Sequence, residues 1–348
     1  MERRDFIKTS LMATAAVAAG VRQAEGATPV IQHEGKIVTV RGPIEPDRLG
    51  FTLPHEHILV DFIGADKVSP DRYDQDVAFD FVRPHMREAA SLGVNALVEC
   101  TPSFLGKDPV LCRRLSEASG IHVLTNVGHY GAAKDKFVPG FAYEETADQL
   151  ADRWVKDAED IDGTGIQPGF IKIGVDRESL SDIDEKLVRA AARTHLRTGL
   201  LIYAHTGFAT PAMEEIAILK EEGVHPSAWV WTHAQNEKDN DQHEKAAREG
   251  AWIAFDGVRP DEKRVARDLK HFTEMKKRGL LANVHLSHDA GWYRPGEEQR
   301  FRPYDFIKKE FLGKLKEAGL TDEDIHQVTV ENPKRALTIG VRALSNDK

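Results

Sequence analysis

A chain of 348 residues with a formal net charge of −9 is long enough for a barrel-sized core and lacks the basic surface expected of a nucleic-acid binder. Hydrophobic residues make up 41% and charged residues 30%, which excludes a disordered or fibrous chain. Cys100 and Cys112 are the only cysteines, too few for a disulfide scaffold and too far apart for a CxxC metal pair, and they read as two buried thiols.

Residues 1–30 read as an address rather than as fold. Arg3-Arg4-Asp5-Phe6-Ile7-Lys8 precedes an Ala-rich apolar run from Leu11 to Val21, with small residues suited to cleavage after Ala18, Ala24 or Ala27. That order resembles a twin-arginine export signal and implies a periplasmic or extracellular protein. Beyond it, no stretch approaches the roughly 18 apolar residues of a membrane span. Residues 31–348 read as one catalytic domain.

Gly35–Gly50 reads as a hairpin or extended lead-in. Strands are then expected at Leu53–Val60, Ala96–Cys100, His122–Val127, Phe170–Gly174, Leu200–Ala204, Trp229–Thr232, Trp252–Phe255 and Val284–Ser287. Helical patterns fall between them at Phe81–Ser91, Tyr143–Asp160, Ile183–Arg197, Pro211–Glu222, His243–Gly250, Glu262–Arg278 and Tyr304–Ala318. Gly93, Gly199, Gly223 and Gly250 each stand where a helix ends just before a strand. Eight strands, most of them followed by a helix-length segment, imply parallel pairing in a closed (β/α)8 TIM barrel, an α/β fold with a short N-terminal lead-in.

In such a barrel the C-terminal strand ends converge on one mouth. Reading only those ends gives His55 and His57, Lys172, His205, His233 and Asp289. His55 and His57 are two residues apart, so on a strand they share a face while Glu56 points away. Each residue alone has an ordinary structural explanation: a core histidine, a snorkelling lysine, an aspartate N-cap. Together they form an imidazole and carboxylate set that suits zinc, cobalt, manganese or iron rather than calcium.

Leu53-Pro54-His55-Glu56-His57 resembles the opening motif of the amidohydrolase superfamily. Lys172, Ala204-His205-Thr206-Gly207, Thr232-His233, Ser287-His288-Asp289 and Glu331-Asn332-Pro333-Lys334-Arg335 follow in the order of its phosphotriesterase-related, lactonase-like branch, from Gly42 to Ile339. The resemblance implies two divalent metal ions, zinc first, with manganese, cobalt or iron as alternatives. His55, His57 and Asp289 would hold the more buried ion, His205 and His233 the more exposed one. Lys172, carboxylated on its amine, would bridge both. A metal-bridging hydroxide would be the nucleophile and Asp289 its proton acceptor. The substrate would be a small molecule, and a homodimer is compatible with the family.

Asn126-Val127-Gly128-His129-Tyr130 resembles the strand-three end at which lactonases carry a tyrosine, so Tyr130 points toward lactones, sugar-derived ones included. Phosphotriesters and small N-acyl amides are the alternative substrates. A barrel that holds metal for binding alone is the non-enzymatic alternative. Two departures stand out. Gly257 follows Asp256 where relatives place Arg or His, and His233 is followed by Ala234-Gln235-Asn236 rather than an acidic residue. Arg259 and the Ala290–Arg302 segment, with Trp292, Tyr293, Arg294 and Arg300, are the candidate substrate-choosing elements.

Overall fold

The computed structural model describes residues 31–345, so the twin-arginine-like segment lies outside the described residues. An antiparallel hairpin, Ile37–Thr39 with Gly42–Ile44, leads in. The parallel strands are β1 (Thr52–Leu59), β2 (Ala96–Glu99), β3 (His122–Leu124, resuming at Asn126–Val127) and β4 (Phe170–Gly174). They continue as β5 (Leu201–His205), β6 (Trp229–Thr232), β7 (Trp252–Phe255) and β8 (Val284–Leu286). Each pairs with the next from β1 to β8. A short β9 (Gly291–Tyr293) runs parallel to β1. Between β8 and β1 the ring is joined by single bonds: Asp289 N–H donates to the His55 carbonyl at 3.0 Å, and His55 N–H to Ser287 Oγ at 3.0 Å. The fold is a (β/α)8 barrel.

Its helices are α1 (Gln75–Ser91), α2 (Pro109–Ser119), α3 (Ala147–Glu159), α4 (Asp182–Thr198) and α5 (Ala209–Glu221). α6 (Asn240–Arg248), α7 (Glu262–Lys277) and α8 (Leu312–Glu317) follow, with shorter helices at Phe141–Glu144, Asp322–His326 and Asn332–Leu337. Three differ from expectation. α1 starts six residues before Phe81 because the Asp74 carboxylate caps the Asp76 and Val77 N–H groups. The expected helix Tyr143–Asp160 is broken, since Thr146 and Gln149 form a capping box that restarts the chain as α3. α8 is preceded by a π-helical turn at Ile307–Phe311 rather than running unbroken from Tyr304. α2 has no counterpart among the expected helices; Asp108 caps it and Gly120, at φ 83°, ends it.

Side-chain alternation sorts the strands into two layers. Ile171, Ile173, Ile202, Ala204, Trp229, Trp231, Ile253 and Phe255 belong to the large core shared with the helices. The alternate residues Phe170, Leu201, Tyr203, Val230, Trp252 and Ala254 form a second, inner cluster, with Ile37, Leu49, Ala336 and Leu337. Lys172, His205 and Asp256 continue those inner rows by two residues toward the mouth. The metal-site candidates are therefore the polar top layer of an otherwise apolar barrel interior.

A buried carboxyl under β5 gives a test of that interior. Glu215 of α5 is fully buried, accepts a hydrogen bond from Thr206 Oγ1 at 2.6 Å, and is pushed up to about 8 by burial. A carboxyl whose folded pKa lies above its unfolded value contributes stability that is fully present below about pH 4.5 and is lost as pH rises through about 8. Glu215→Gln is expected to flatten the loss of melting temperature between about pH 5 and about pH 8. A variant whose melting temperature tracks that of the parent across the series would show that Glu215 is not protonated in the fold.

Candidate metal centre

His55, His57 and Asp289 converge: one ligand atom from each lies within 4.8 Å of the others. His57 Nε2 is 3.2 Å from Asp289 Oδ1. The His55 and His57 ring centroids are 5.4 Å apart, His55 and His233 4.9 Å, and His205 and His233 4.4 Å. A β-bulge makes this possible. Leu53 packs into the outer core, so simple alternation would send His55 outward too; the register of β1 on β2 slips between Leu53 and Glu56 and re-aims the strand end.

Each imidazole but His205 is held from behind. Asp256, wholly buried, meets His55 Nδ1 at 2.6 Å and His233 Nδ1 at 2.8 Å. His57 Nδ1 is 2.8 Å from Thr101 Oγ1. An acceptor on Nδ1 fixes the tautomer that leaves Nε2 as the metal-binding lone pair. His55, His233 and Asp256 also cluster as if to hold an ion, but their short contacts are these hydrogen bonds, so the trio is an orienting clamp.

The electrostatics suit a cation. Burial holds His55 down to about 4 and pushes His57 and His205 below the ordinary histidine value, which leaves neutral rings near pH 7. Burial opposes ionisation of Asp289, yet its hydrogen bond to His57 and the nearby charge of His233 hold the carboxyl well below the usual range. His233 is raised: burial acts against it, but the Asp256 carboxylate wins. Lys172 lies among them, 1% exposed, with its Nζ lacking any hydrogen-bond partner and its pKa lowered by burial. A buried amine without a partner among imidazoles and a carboxylate fits a site built to hold divalent metal rather than an apolar core.

His233 and Asp289 both have left-handed backbones, at φ 58° and 53°. Such conformations cost about 1–3 kcal/mol each and persist where the surroundings fix them. Glu56 fixes the second. Its Oε1 accepts from Ser287 Oγ at 2.8 Å, His288 N–H at 3.0 Å and His288 Nδ1 at 2.8 Å, and its Oε2 from Ala290 N–H at 2.6 Å. Glu56 does point away from the metal ligands, as alternation implies, but its role is to hold the turn that presents Asp289.

Residues 35–337 match the Phosphotriesterase family. The chain belongs to that family. As a phosphotriesterase-family protein it is a metal-dependent hydrolase, and the family's centre is binuclear. It is 30% identical over 296 residues to the phosphotriesterase homology protein of Escherichia coli (strain K12), covering 83% of this chain and 98% of that one. It is also similar to a solved point mutant of the organophosphorus hydrolase from Deinococcus radiodurans, at 26% identity and TM-score 0.79, covering 90% of this chain and 100% of that one. The lactonase Lmo2620 from Listeria monocytogenes, 24% identical with TM-score 0.77 over 88% of this chain and 99% of its own, shares the fold.

Both departures from the family pattern fall on one contact. Gln235 Nε2 donates to Asp256 Oδ1 at 3.1 Å, and Asp256 N–H donates to Gln235 Oε1 at 3.1 Å. A Cβ on residue 257 would stand 2.5 Å from Gln235 Nε2, so glycine there makes room for the amide. The sequence alone assigns neither Asp256 nor Gln235 a part in the site. Asp256 nevertheless carries the same signal as the ligands, since it ends an inner row of its strand.

Tyr130 lies at the same mouth, its ring 5.0 Å from His205 at 64°. A Cβ at Gly174 would meet that ring at 2.7 Å, so the glycine ending β4 lets the tyrosine lie flat against the strand. Cys100 and Cys112 are free, buried thiols. No helix among the described residues is long and apolar enough to cross a membrane.

Proposed function

We propose that the chain is a two-metal lactonase or carboxylic-ester hydrolase of small molecules. In this reading His55, His57, His205, His233 and Asp289 would hold two divalent ions, together with a carboxylated Lys172. Burial favours the neutral, nucleophilic amine, which would add carbon dioxide and release a proton, leaving a bidentate carbamate anion where a protonated lysine would repel metal. Two divalent ions, zinc in the first instance, supply Lewis acidity and a water nucleophile near neutral pH. Asp289 accepts the proton of the attacking water and returns it to the leaving alkoxide. A twin-arginine leader at residues 1–30 would export the protein already folded.

The observation that favours lactones is Tyr130. Its hydroxyl makes no hydrogen bond to the described residues, and its ring stands edge-on to His205. Burial raises its pKa, so it stays a phenol and can donate to a lactone ring oxygen or a departing alkoxide. Phosphotriester hydrolysis is the second reading, favoured by the likeness to an organophosphorus hydrolase.

The test is initial rates of the zinc- or manganese-loaded protein on sugar lactones, aliphatic lactones, a phosphotriester and N-acyl amides, with Asp289→Asn as blank. Lactone turnover that Tyr130→Phe lowers about tenfold, the worth of one hydrogen bond, is expected. Faster turnover of the phosphotriester, or lactone rates indifferent to Tyr130→Phe, would overturn the lactone assignment.

A further inference from the structure

The rim beyond β7 and β8 is cationic and short of counter-charge. Arg259, in the loop after β7, brings Nη2 to 3.4 Å from Asp289 Oδ2. Arg302 reaches the same oxygen at 3.9 Å and donates to the Asp289 carbonyl. Arg302 also stacks on Trp292 with its Cζ 4.7 Å from the ring. Arg294 lies 5.1 Å from Trp292 and 4.6 Å from Phe62. Trp292 itself donates Nε1–H to Asp289 Oδ1 at 3.2 Å and meets the His57 ring edge-on at 5.4 Å. The aromatic platform therefore ties the Arg294 and Arg302 guanidiniums to the edge of the metal centre, and Asp289 ties Arg259 there.

These arginines are under-partnered. Among the described residues, Arg259 has Asp289 as its one carboxylate within salt-bridge distance, and Arg302 shares it. Arg294 has the half-exposed Glu297 at 3.4 Å, a residue that Arg300 also uses. The Nε atoms of Arg259 and Arg294 are buried without any hydrogen-bond partner. A guanidinium presents five N–H donors and pairs best with a planar or tetrahedral oxyanion. The one carboxylate that Arg259 and Arg302 share is also a metal ligand, so a loaded centre would leave them with less negative charge still.

We propose that Arg294 and Arg302 on Trp292, with Arg259 beside Asp289, form an oxyanion subsite that receives a carboxylate or phosphate carried by the substrate beside the bond that is cut. The proposal rests on the hydrolase reading above and narrows its substrate class to anionic lactones or esters. Guanidiniums stacked on a tryptophan are pre-oriented, so an incoming oxyanion gains charge-assisted bonds with little further ordering. A merely structural role, pinning the loop that carries Asp289, would affect charged and neutral substrates alike.

Two measurements on the full-length, metal-loaded protein test this. The first compares matched pairs: a carboxylate-bearing lactone with its neutral primary amide, and a phosphorylated sugar lactone with the free sugar lactone. The anionic member should have kcat/KM at least about tenfold higher. Arg259→Gln and Arg294→Gln should lower that ratio by about tenfold, mainly through KM. The pair with the larger ratio identifies carboxylate or phosphate as the natural group.

The second measurement titrates inorganic phosphate and succinate calorimetrically into wild type and Arg294→Gln. Arg294 contacts no metal-ligand candidate, so metal content should stay at the wild-type level while anion affinity falls about tenfold. Equal kcat/KM within both pairs, or anion affinity unchanged by Arg294→Gln, would overturn the subsite. If no lactone were turned over but anion binding still depended on Arg294, the lactone reading would fail and the subsite would stand. Lactone turnover indifferent to charge would do the reverse.

Discussion

Asp256→Asn is expected to lower metal affinity by about 10- to 100-fold, as measured by competition with a chelator and by metal content after dialysis. One carboxylate holds two ligand rings at once, His55 at 2.6 Å and His233 at 2.8 Å, and it also accepts from the His233 and Gln235 N–H groups. An asparagine offers one acceptor oxygen where the site uses two, and its amide N–H₂ would face an imidazole N–H. One of the two rings must then change tautomer or turn away, and the Nε2 lone pair goes with it. The charge matters as well as the shape. Burial opposes ionisation of Asp256, yet the rings of His233 and His55 hold its carboxyl well below the ordinary range, so it is an anion throughout the neutral region. Metal affinity equal to that of the parent would show that packing alone orients His55 and His233.

Glu56→Ala is expected to destabilise the fold by about 3–5 kcal/mol, the cost of stripping the partner from a buried charged network. One carboxylate on β1 gathers Ser287 Oγ, the His288 ring and the Ala290 N–H together. Burial would raise its pKa, but His288 and the backbone donors outweigh burial and draw it down, so the interaction is with the anion. Glu56→Gln is a sharper probe, because all four groups facing Glu56 are donors and an amide would turn its own N–H₂ on one of them. Urea unfolding should show a lower midpoint at unchanged slope for both variants. The Gln variant should also lose metal affinity, since the turn presenting Asp289 is released. A midpoint unchanged in both would mean that β8 and β1 are joined without Glu56.

The barrel was legible in the sequence because it is written in short-range terms. Apolar strands such as Phe170–Gly174, Trp229–Thr232 and Trp252–Phe255 have the expected bounds, and the glycines at 93, 199, 223 and 250 all take the positive φ that ends a helix. The ligand candidates were legible for a related reason: a (β/α)8 barrel turns position along a strand into position in space, so polar residues at C-terminal strand ends must meet. Local capping was harder to read. Asp74 and Thr146 moved helix boundaries by hydrogen bonds that periodicity does not record.

What only the tertiary structure decided are the contacts between strand ends far apart in sequence. The bulge that turns His55 inward depends on the slip of β1 against β2, and the Asp256 clamp on β7 reaching two other strands. Gly257 reads as a loss in the sequence and as a fitted partner of Gln235 once both are seen together. The arginines at 259, 294 and 302 were scattered rim charges until Trp292 and Asp289 brought them to one edge of the centre. Residue type and spacing specify which groups a strand delivers to the mouth. Which of them touch is set by ring closure and by the turns after each strand, and that information lies between segments rather than within any one of them.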